Sequence, residues 1–559
     1  MALEPKTEAG EPTVGVDQNA QKNTTAVDHK LQDPPRVLNG WRLHMSMFGY
    51  LRAATLTYRL CMALLFSSLE TTIISTSLPT IGSYFDDYNK IGWVVTAYLV
   101  TYSSFLLAYA KLSDIFGQRN VILVALFLFG LFSGLCAASE KISLTALVVF
   151  RAMQGVGGSG VYSVVFVALV DICPARLLGV YSSAVSSTFA VANVLGPIIG
   201  GAICDTGDWK WIFLLNVPGA AVAGSLIFIA LPGVDGGVIK KSLFRRVDFM
   251  GSLLSVGGAV MMIYGLQTGG AEYPWGDAQI IGTIVTGGIA VILFFTYEFL
   301  LTRQGDASVI EPVFPLRLLK NPRICCLLLT AFLYGGVFYS VVVNIPQQNQ
   351  IVHLRSPTRA GVDILPIMVL SPFASLVSGV VFSKTIRFGW QILAGGSILS
   401  LLGVGLLIEL PYSDGILARM YGYEVILGLG LGLVMPAFLV LGRVEVEDRD
   451  NAAIMGAVNS TRTMGGCICL SICSAILHSQ QDKQLDFLPE NVVNGISLSP
   501  TSVIPALPEA EALRTREAFH DIYRLQFIAI AAWAVAALLF SLGRFYSTWA
   551  AGSWKESRA

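Results

Sequence analysis

Two charged side chains lie inside apolar runs that are long enough to cross a bilayer. Glu70 lies near the middle of the run 58–81, and Arg151 lies in the predicted outer half of the run 144–170. A charge at such a depth costs at least about 2.5 kcal/mol, so each side chain needs a partner or a polar cavity. A carboxyl group that gains and loses a proton there suits proton coupling. A purely structural role remains the alternative for both residues.

A second feature is the stretch 192–201, ANVLGPIIGG, which lies within another apolar run. The spacing Gly196-x3-Gly200 allows neighbouring membrane helices to approach closely, and Gly201 follows directly. Pro197 removes one backbone donor and bends the helix, which packed spans tolerate. Such a helix either seals an interface between two domains or simply packs closely against its neighbour.

The loop 110–123, AKLSDIFGQRNVIL, joins two apolar runs. A tight turn between two spans requires Gly117. Asp114 is suited to capping a helix start and to pairing with Arg119 across the turn.

The composition indicates a membrane protein. Of the 559 residues, 54% are hydrophobic and 13% are charged, against roughly 25% charged residues in soluble domains. The net charge of zero gives no reason to expect a nucleic-acid partner. The sequence lacks the phosphate-binding motif G-x-x-x-x-G-K-[ST], and the grouped cysteines Cys467, Cys469 and Cys473 lie on one predicted apolar helix, which favours packing over metal binding. We therefore predict no ATP, cofactor or metal, and a protein that is not an enzyme.

A membrane span needs about 20 apolar residues. Fourteen runs meet this length, which predicts an all-α multi-span membrane protein. The predicted spans are 58–81, 91–111, 120–139, 144–170, 179–204, 210–231, 248–269, 278–301, 324–345, 361–383, 390–410, 421–441, 452–478 and 523–545.

The basic residues of the short loops predict the orientation. Fifteen lysines and arginines follow even-numbered spans and six follow odd-numbered spans, so the first set belongs in the cytosol. Both termini are then cytosolic, residues 1–47 form a disordered tail, and 479–522 form an outer loop. Three glutamates near span ends, Glu298, Glu409 and Glu424, are expected to reach the membrane surface.

These stretches resemble the signature motifs of the major facilitator superfamily. The loop 110–123 is similar to the motif G-x-L-a-D-r-x-G-r-k, with Ala110 replacing its first glycine and Gln118 one basic residue. RAMQG, which contains Arg151 and Gln154, resembles the fourth-span motif R-x-x-q-G. ANVLGPIIGG resembles the antiporter motif G-x-x-x-G-P-x-x-G-G, with Ala192 at its first position.

Other segments resemble the fourteen-span drug:proton antiporters of that superfamily. LETTIISTSLP matches their first-span motif with Glu70 in place of aspartate, and DWKWIFLLNVPGA matches their sixth-span segment. Two later segments keep Gln350 and Arg462 of further patterns. The polar N-terminal tail completes a resemblance to fungal multidrug and mycotoxin exporters.

The resemblance implies the major facilitator fold. Six-helix bundles at 48–235 and 306–559 would be joined by 236–305, which carries two extra spans. Alternating access would export a small hydrophobic or amphipathic compound, such as a drug, toxin or secondary metabolite, in exchange for protons. A monomer in the plasma membrane is expected, with the vacuolar membrane as the alternative.

The resemblance also implies roles for the candidate residues. Glu70 would carry the proton with Arg151 as its partner, and Gln154, Gln350 and Arg462 would line the path of the proton or substrate. Asp114, Gly117 and Arg119 would form a gating loop, and Gly196, Pro197, Gly200 and Gly201 would form the antiporter seal. An importer on the same fold and a non-transporting membrane sensor remain alternatives.

Overall fold

The computed structural model describes residues 40–556 with short gaps. The gaps are 173–177, 231–247, 271–272, 305–309, 311, 313, 315, 386–387 and 447–449. Most of the predicted tail 1–47 and the segment before the first extra span therefore lie outside the described residues. Within them the secondary structure is helical, apart from an isolated bridge between Gly269 and Tyr273.

The described residues of the first part of the chain form ten α-helices. They are α1 Gly40–Ile73, α2 Leu78–Tyr84, α3 Gly92–Phe116, α4 Gln118–Ala138, α5 Leu144–Ile172, α6 Leu178–Asp205, α7 Trp211–Leu214, α8 Asn216–Ala230, α9 Phe249–Thr268 and α10 Ala278–Gln304.

In the second part, the residues that the structure describes form nine α-helices. They are α11 Pro322–Ile351, α12 Pro357–Asp363, α13 Leu365–Lys384, α14 Gly389–Ile408, α15 Ala418–Val444, α16 Asn451–Gln484, α17 Glu490–Leu498, α18 Pro500–Val503 and α19 Glu509–Glu556.

Among the described residues, twelve segments are long and apolar enough to cross a membrane, and a bent pair, Thr57–Thr76 with Leu78–Tyr84, is a further candidate. The pair bends by 64°. Helix α3, at the predicted second span, adds a continuous helix of 25 residues. These helices are compatible with fourteen spans, and that number stays a prediction.

The helices of each half pack mainly against one another. Helix α5 packs against α3 and α4, and α1 packs against α6 and α8. In the second half α11 packs against α16 and α19, and α15 packs against α13 and α14. The extra helices α9 and α10 pair, and α9 also contacts α3 and α16, one helix from each half. The extra pair therefore lies beside the junction between the halves.

Helix α10 shows how the sequence marks a lipid-facing surface. Ile281, Val285, Ile289 and Ile292 are all exposed. Their spacing of three and four residues places them on one face of the helix. An apolar face with no protein against it is stable in lipid, so this face of α10 belongs to the outer surface of the helix assembly.

Candidate functional site: a buried charge network in the first half

The two charges that the sequence singles out meet inside the first half of the molecule. Glu70 lies three residues before the end of α1 and has no exposed surface, and the exposed fraction of Arg151 on α5 is 1%. Arg151 Nη1 donates a hydrogen bond to Glu70 Oε1, which makes the contact an ion pair. The partner that each charge needs in an apolar interior is therefore the other charge.

Neutral groups occupy the remaining positions around this pair. Asn216 Nδ2, at the start of α8, donates to the second carboxylate oxygen of Glu70. Arg151 Nη1 also donates to Gln154 Oε1 at 2.7 Å, and Gln154 Nε2 donates to Ser133 Oγ on α4 at 2.6 Å. Both oxygens of Glu70 thus accept hydrogen bonds, which reduces the cost of burying the carboxylate.

Helix α3 covers the other side of the guanidinium group. Arg151 Nε donates to the carbonyl oxygen of Val94 at 2.9 Å. The ring of Tyr98 lies 4.4 Å from the guanidinium carbon, which adds a cation–π contact. Five helices, α1, α3, α4, α5 and α8, therefore contribute to one polar cluster.

Glycines of α5 allow these helices to come close enough. A Cβ atom at Gly155 would overlap Thr101 and the carbonyl group of Tyr98, both on α3. A Cβ atom at Gly157 would overlap the backbone of Phe129 on α4. Small residues permit this close approach, and the close approach excludes water and lipid from Arg151.

The predicted seal lies directly beside Glu70. Gly196 of α6 faces Thr72, and Gly200 faces the carbonyl oxygen of Ile73. Thr72 Oγ1 donates to the carbonyl oxygen of Ala192 at 3.2 Å, which further joins α1 to α6. The glycine stretch and the charge network therefore share the same end of α1.

The same stretch of α6 also contacts the second half. Gly201 lies against the backbone of Pro357 and Thr358, and Gly361 lies against the carbonyl oxygen of Pro197. A side chain at either glycine would overlap the facing backbone. Of the two interpretations of the stretch, the contacts favour an interface between the halves, at the predicted outer side.

Gln350 lies at this interface and not in the charge network. Its Nε2 donates to the carbonyl oxygen of Thr76 at 3.0 Å, where the chain bends between α1 and α2. Arg462, on α16, is 6% exposed, and its guanidinium carbon lies 5.7 Å from the ring centre of Tyr339. The structure thus brings together Glu70, Arg151 and Gln154 of the predicted residues and places Gln350 and Arg462 elsewhere.

The predicted gating loop forms the tight turn between α3 and α4. Gly117 has φ 83°, in the left-handed region that favours glycine. The guanidinium carbon of Arg119 lies 4.3 Å from the ring centre of Phe228. The side chain of Asp114 lies outside the described residues, so its predicted pairing with Arg119 stays a prediction.

Two of the three glutamates near span ends are placed differently from our expectation. Glu409 is exposed, but Glu298 and Glu424 have no exposed surface. Their helices pack so that these side chains point inward, and closeness to a span end does not reveal that direction.

Sequence reasoning also missed Asn216, although it belongs to the segment DWKWIFLLNVPGA that carried part of the resemblance.

Comparison with known proteins decides the family. The sequence profile of the Major Facilitator Superfamily matches residues 60–469, which is most of the chain. The chain belongs to the Major Facilitator Superfamily. The predicted family and its all-helical fold are thereby confirmed, and this major facilitator is a multi-span membrane transporter of small molecules and not an enzyme.

Relatives of this major facilitator occur in fungi. It is 39% identical over 511 residues to the MFS-type transporter FPY5 of Fusarium mangiferae, covering 89% of this chain and 83% of the relative. It is 30% identical to the efflux pump FUS6 of Gibberella moniliformis, covering 77% and 75%. It is also 30% identical to the efflux pump dotC of Dothistroma septosporum, covering 86% and 82%.

A solved structure shares the fold at low identity. The bacterial homologue of the human lysosomal transporter Spinster, inward-facing and unoccupied, superposes with a TM-score of 0.58. The identity is 13%, and the match covers 89% of this chain and 98% of the other. This likeness concerns the fold alone.

Proposed function

We propose that this transporter exports a small hydrophobic or amphipathic compound, such as a toxin or other secondary metabolite, in exchange for protons. The observation that carries the proposal is the buried ion pair of Glu70 and Arg151 next to the glycine stretch of α6. A protonatable group at the centre of a span supports proton coupling. Its position beside the interface between the halves supports a link between protonation and alternating access.

The ion pair suggests how a proton acts. When Glu70 takes up a proton, its charge is lost and the strong bond to Arg151 becomes an ordinary hydrogen bond. Arg151 keeps its hydrogen bonds to Gln154 and to the carbonyl oxygen of Val94, so its charge stays stabilised. The helices α1 and α5 can then separate more easily. Loss of the proton restores the pair and draws the two helices together again.

The contacts of α6 would transmit this change. Thr72 and Ile73 lie within three residues of Glu70, and they contact Gly196 and Gly200 of α6. A movement of α1 would therefore displace α6 directly. Helix α6 in turn touches α12 through Gly201 and Gly361. We propose that the protonation state of Glu70 changes how α1 packs against this outer seal, so that the strength of the seal depends on whether the proton is bound.

Two lines of support favour export. The glycine stretch resembles the motif of antiporters, and the relatives FUS6 and dotC carry the name efflux pump. An exporter of secondary metabolites acts where the compound leaves the cell, so we propose the plasma membrane as the location.

The test uses purified protein in lipid vesicles loaded with a pH-sensitive dye. The lipophilic dye Nile red and a panel of fungal polyketides are added from outside under imposed pH gradients of either sign. We expect substrate movement against its own gradient, coupled to opposite proton movement and abolished by a protonophore. Proton and substrate movement in the same direction would support an importer, and the absence of both would favour a sensor.

A further inference from the structure

The second half contains a buried carboxylate that the proposed function does not use. Glu424 lies six residues after the start of α15 and has no exposed surface. Neither of its side-chain oxygens has a hydrogen-bond partner among the described residues, and it forms no ion pair with them. A charged carboxylate in such a place has lost its water without gaining any donor in return.

The helix packing shows which residue Glu424 faces. Gly428 lies against Ile367, and Gly432 lies against the carbonyl oxygen of Ser371. Both contacts join residues that differ by 61 positions, so α15 runs beside α13 with a constant register. One helical turn earlier, the same register places Glu424 opposite Asp363.

A hydrogen bond supports this register. Tyr421, three residues before Glu424 on the same helix, donates from its hydroxyl group to Asp363 Oδ1 at 2.8 Å. The carboxylates of Asp363 and Glu424 lie close enough for their charges to interact. Glu424 therefore faces a second carboxylate, that of Asp363 at the last residue of α12.

The neighbouring cations lie on the side of Asp363. Arg355 Nε is 3.8 Å from Asp363 Oδ2, and Arg359 is the other cation near that carboxylate. Helix α14, which also packs against α15, has no ionisable side chain between Gly389 and Ile408. On α11, Tyr334 donates to the carbonyl oxygen of Leu431, seven residues further along α15 than Glu424. Arg462 of α16 interacts with Tyr334 and with Tyr339 of α11.

We propose that Glu424 and Asp363 form a second proton-binding site, near the predicted outer end of the second half. A proton on Glu424 removes the unpaired charge and creates an O–H group that can donate to Asp363 Oδ2, which accepts no hydrogen bond from the described residues. The proton enters from the outer solution and returns there, and no other bond changes. Because the side chain is completely enclosed, the site has room for a proton but not for an organic cation.

The site itself does not depend on substrate transport, although its use in the transport cycle rests on the proposed function. The test is infrared spectroscopy of the full-length protein in lipid, in which a protonated carboxyl group absorbs apart from a carboxylate. We expect the wild type to show such a band at neutral pH and Glu424→Gln to lose it. The control Glu409→Gln removes an exposed carboxylate from the same half and should keep it.

A second variant tests the same site independently, in case Glu424→Gln fails to fold. Asp363→Asn removes the facing charge, so the pH at which the band disappears should move by about one unit. A band that survives in Glu424→Gln, or a titration that Asp363→Asn does not move, overturns the proposal. Proton-driven transport is measured separately in vesicles, so its absence would refute the proposed function and leave proton binding at Glu424 standing.

Discussion

The fourth predicted span of each half carries a buried charge about two turns from the same end. In the first half this residue is Arg151, seven residues after the start of α5. In the second half it is Glu424, six residues after the start of α15. Arg151 donates to Glu70, Gln154 and Val94, whereas Glu424 has no hydrogen-bond partner among the described residues.

This difference teaches that depth in the membrane does not by itself determine whether an ionisable side chain is stable in its charged form. A charge with a counter-ion and several neutral partners is stable as an ion, and removing one partner has a large effect. A carboxylate without donors is stable only with a proton bound. The first half therefore contains an ion pair that binding of a proton breaks. The second half contains a carboxylate whose charge is removed when it binds a proton.

The largest expected effect follows from removing the charge at Glu70. Glu70→Gln keeps the size of the side chain and one acceptor oxygen for Arg151, but it replaces the second acceptor by an NH2 donor and cannot exchange a proton. We expect it to bind substrate and to show no pH-driven efflux beyond that of empty vesicles. Glu409→Gln is the matched control in the second half. Full pH-driven efflux by Glu70→Gln would mean that the coupling residue lies elsewhere, with Arg462 and Glu424 as the next candidates.

Breaking the ion pair from its other side should reduce stability as well as transport. Arg151→Ala leaves Glu70 buried without its counter-ion, which costs about 3–5 kcal/mol. We expect a large fall in the thermal unfolding midpoint and no coupled efflux. The double variant Glu70→Gln, Arg151→Ala should be more stable than Arg151→Ala alone, because no unpaired charge remains. Additive losses of stability would show that the two residues act independently.

The glycines of the two halves should respond differently to enlargement. Gly200→Leu places a side chain against the backbone of α1 and should cost about 1–3 kcal/mol in packing. We expect normal insertion into the membrane but a severe loss of coupled efflux. Gly379→Leu, in α13, is the control, because nothing lies within 4 Å of the added Cβ atom there. Equal efflux by both variants would show that the stretch in α6 is not a seal.

The smallest effect concerns the loop between α11 and α12. His353 follows α11, and burial together with the nearby His520, Arg516 and Arg355 lowers its pKa from 6.5 to about 4. The unfolded chain therefore binds more protons than the folded chain between these values, and stability falls as the pH falls from 6.5 toward 4. The free energy of unfolding of His353→Gln, relative to that of the wild type, should therefore rise by about 1 kcal/mol when the pH is lowered from 7.5 to 5, after allowance for partial exposure.

Thermal unfolding midpoints of both proteins at the two pH values measure this effect. Other titrating groups are common to both proteins, so the comparison isolates the histidine. A difference between the midpoints that stays constant with pH would contradict the prediction.

The sequence predicted the parts of the site that follow from local rules. Hydropathy located the helices, and the cost of a charge in the membrane singled out Glu70 and Arg151. Two glycines and a proline in one apolar run indicated close packing. The same reasoning misplaced Glu298 and Glu424, because distance from a span end was taken as access to the membrane surface. It passed over Asn216 and Asp363, since neither residue type nor span position distinguishes them.

Sequence alone thus determined the membrane class, the helical composition and the residues that cannot remain unpaired. These properties depend on the free energy of transferring each segment into lipid, which its own side chains set. Only the tertiary structure decided which groups meet. Asn216 reaches Glu70 across 146 positions of the chain, and Gln350 reaches Thr76 across 274. Such contacts depend on how distant helices pack, and no local pattern specifies a partner so far along the chain.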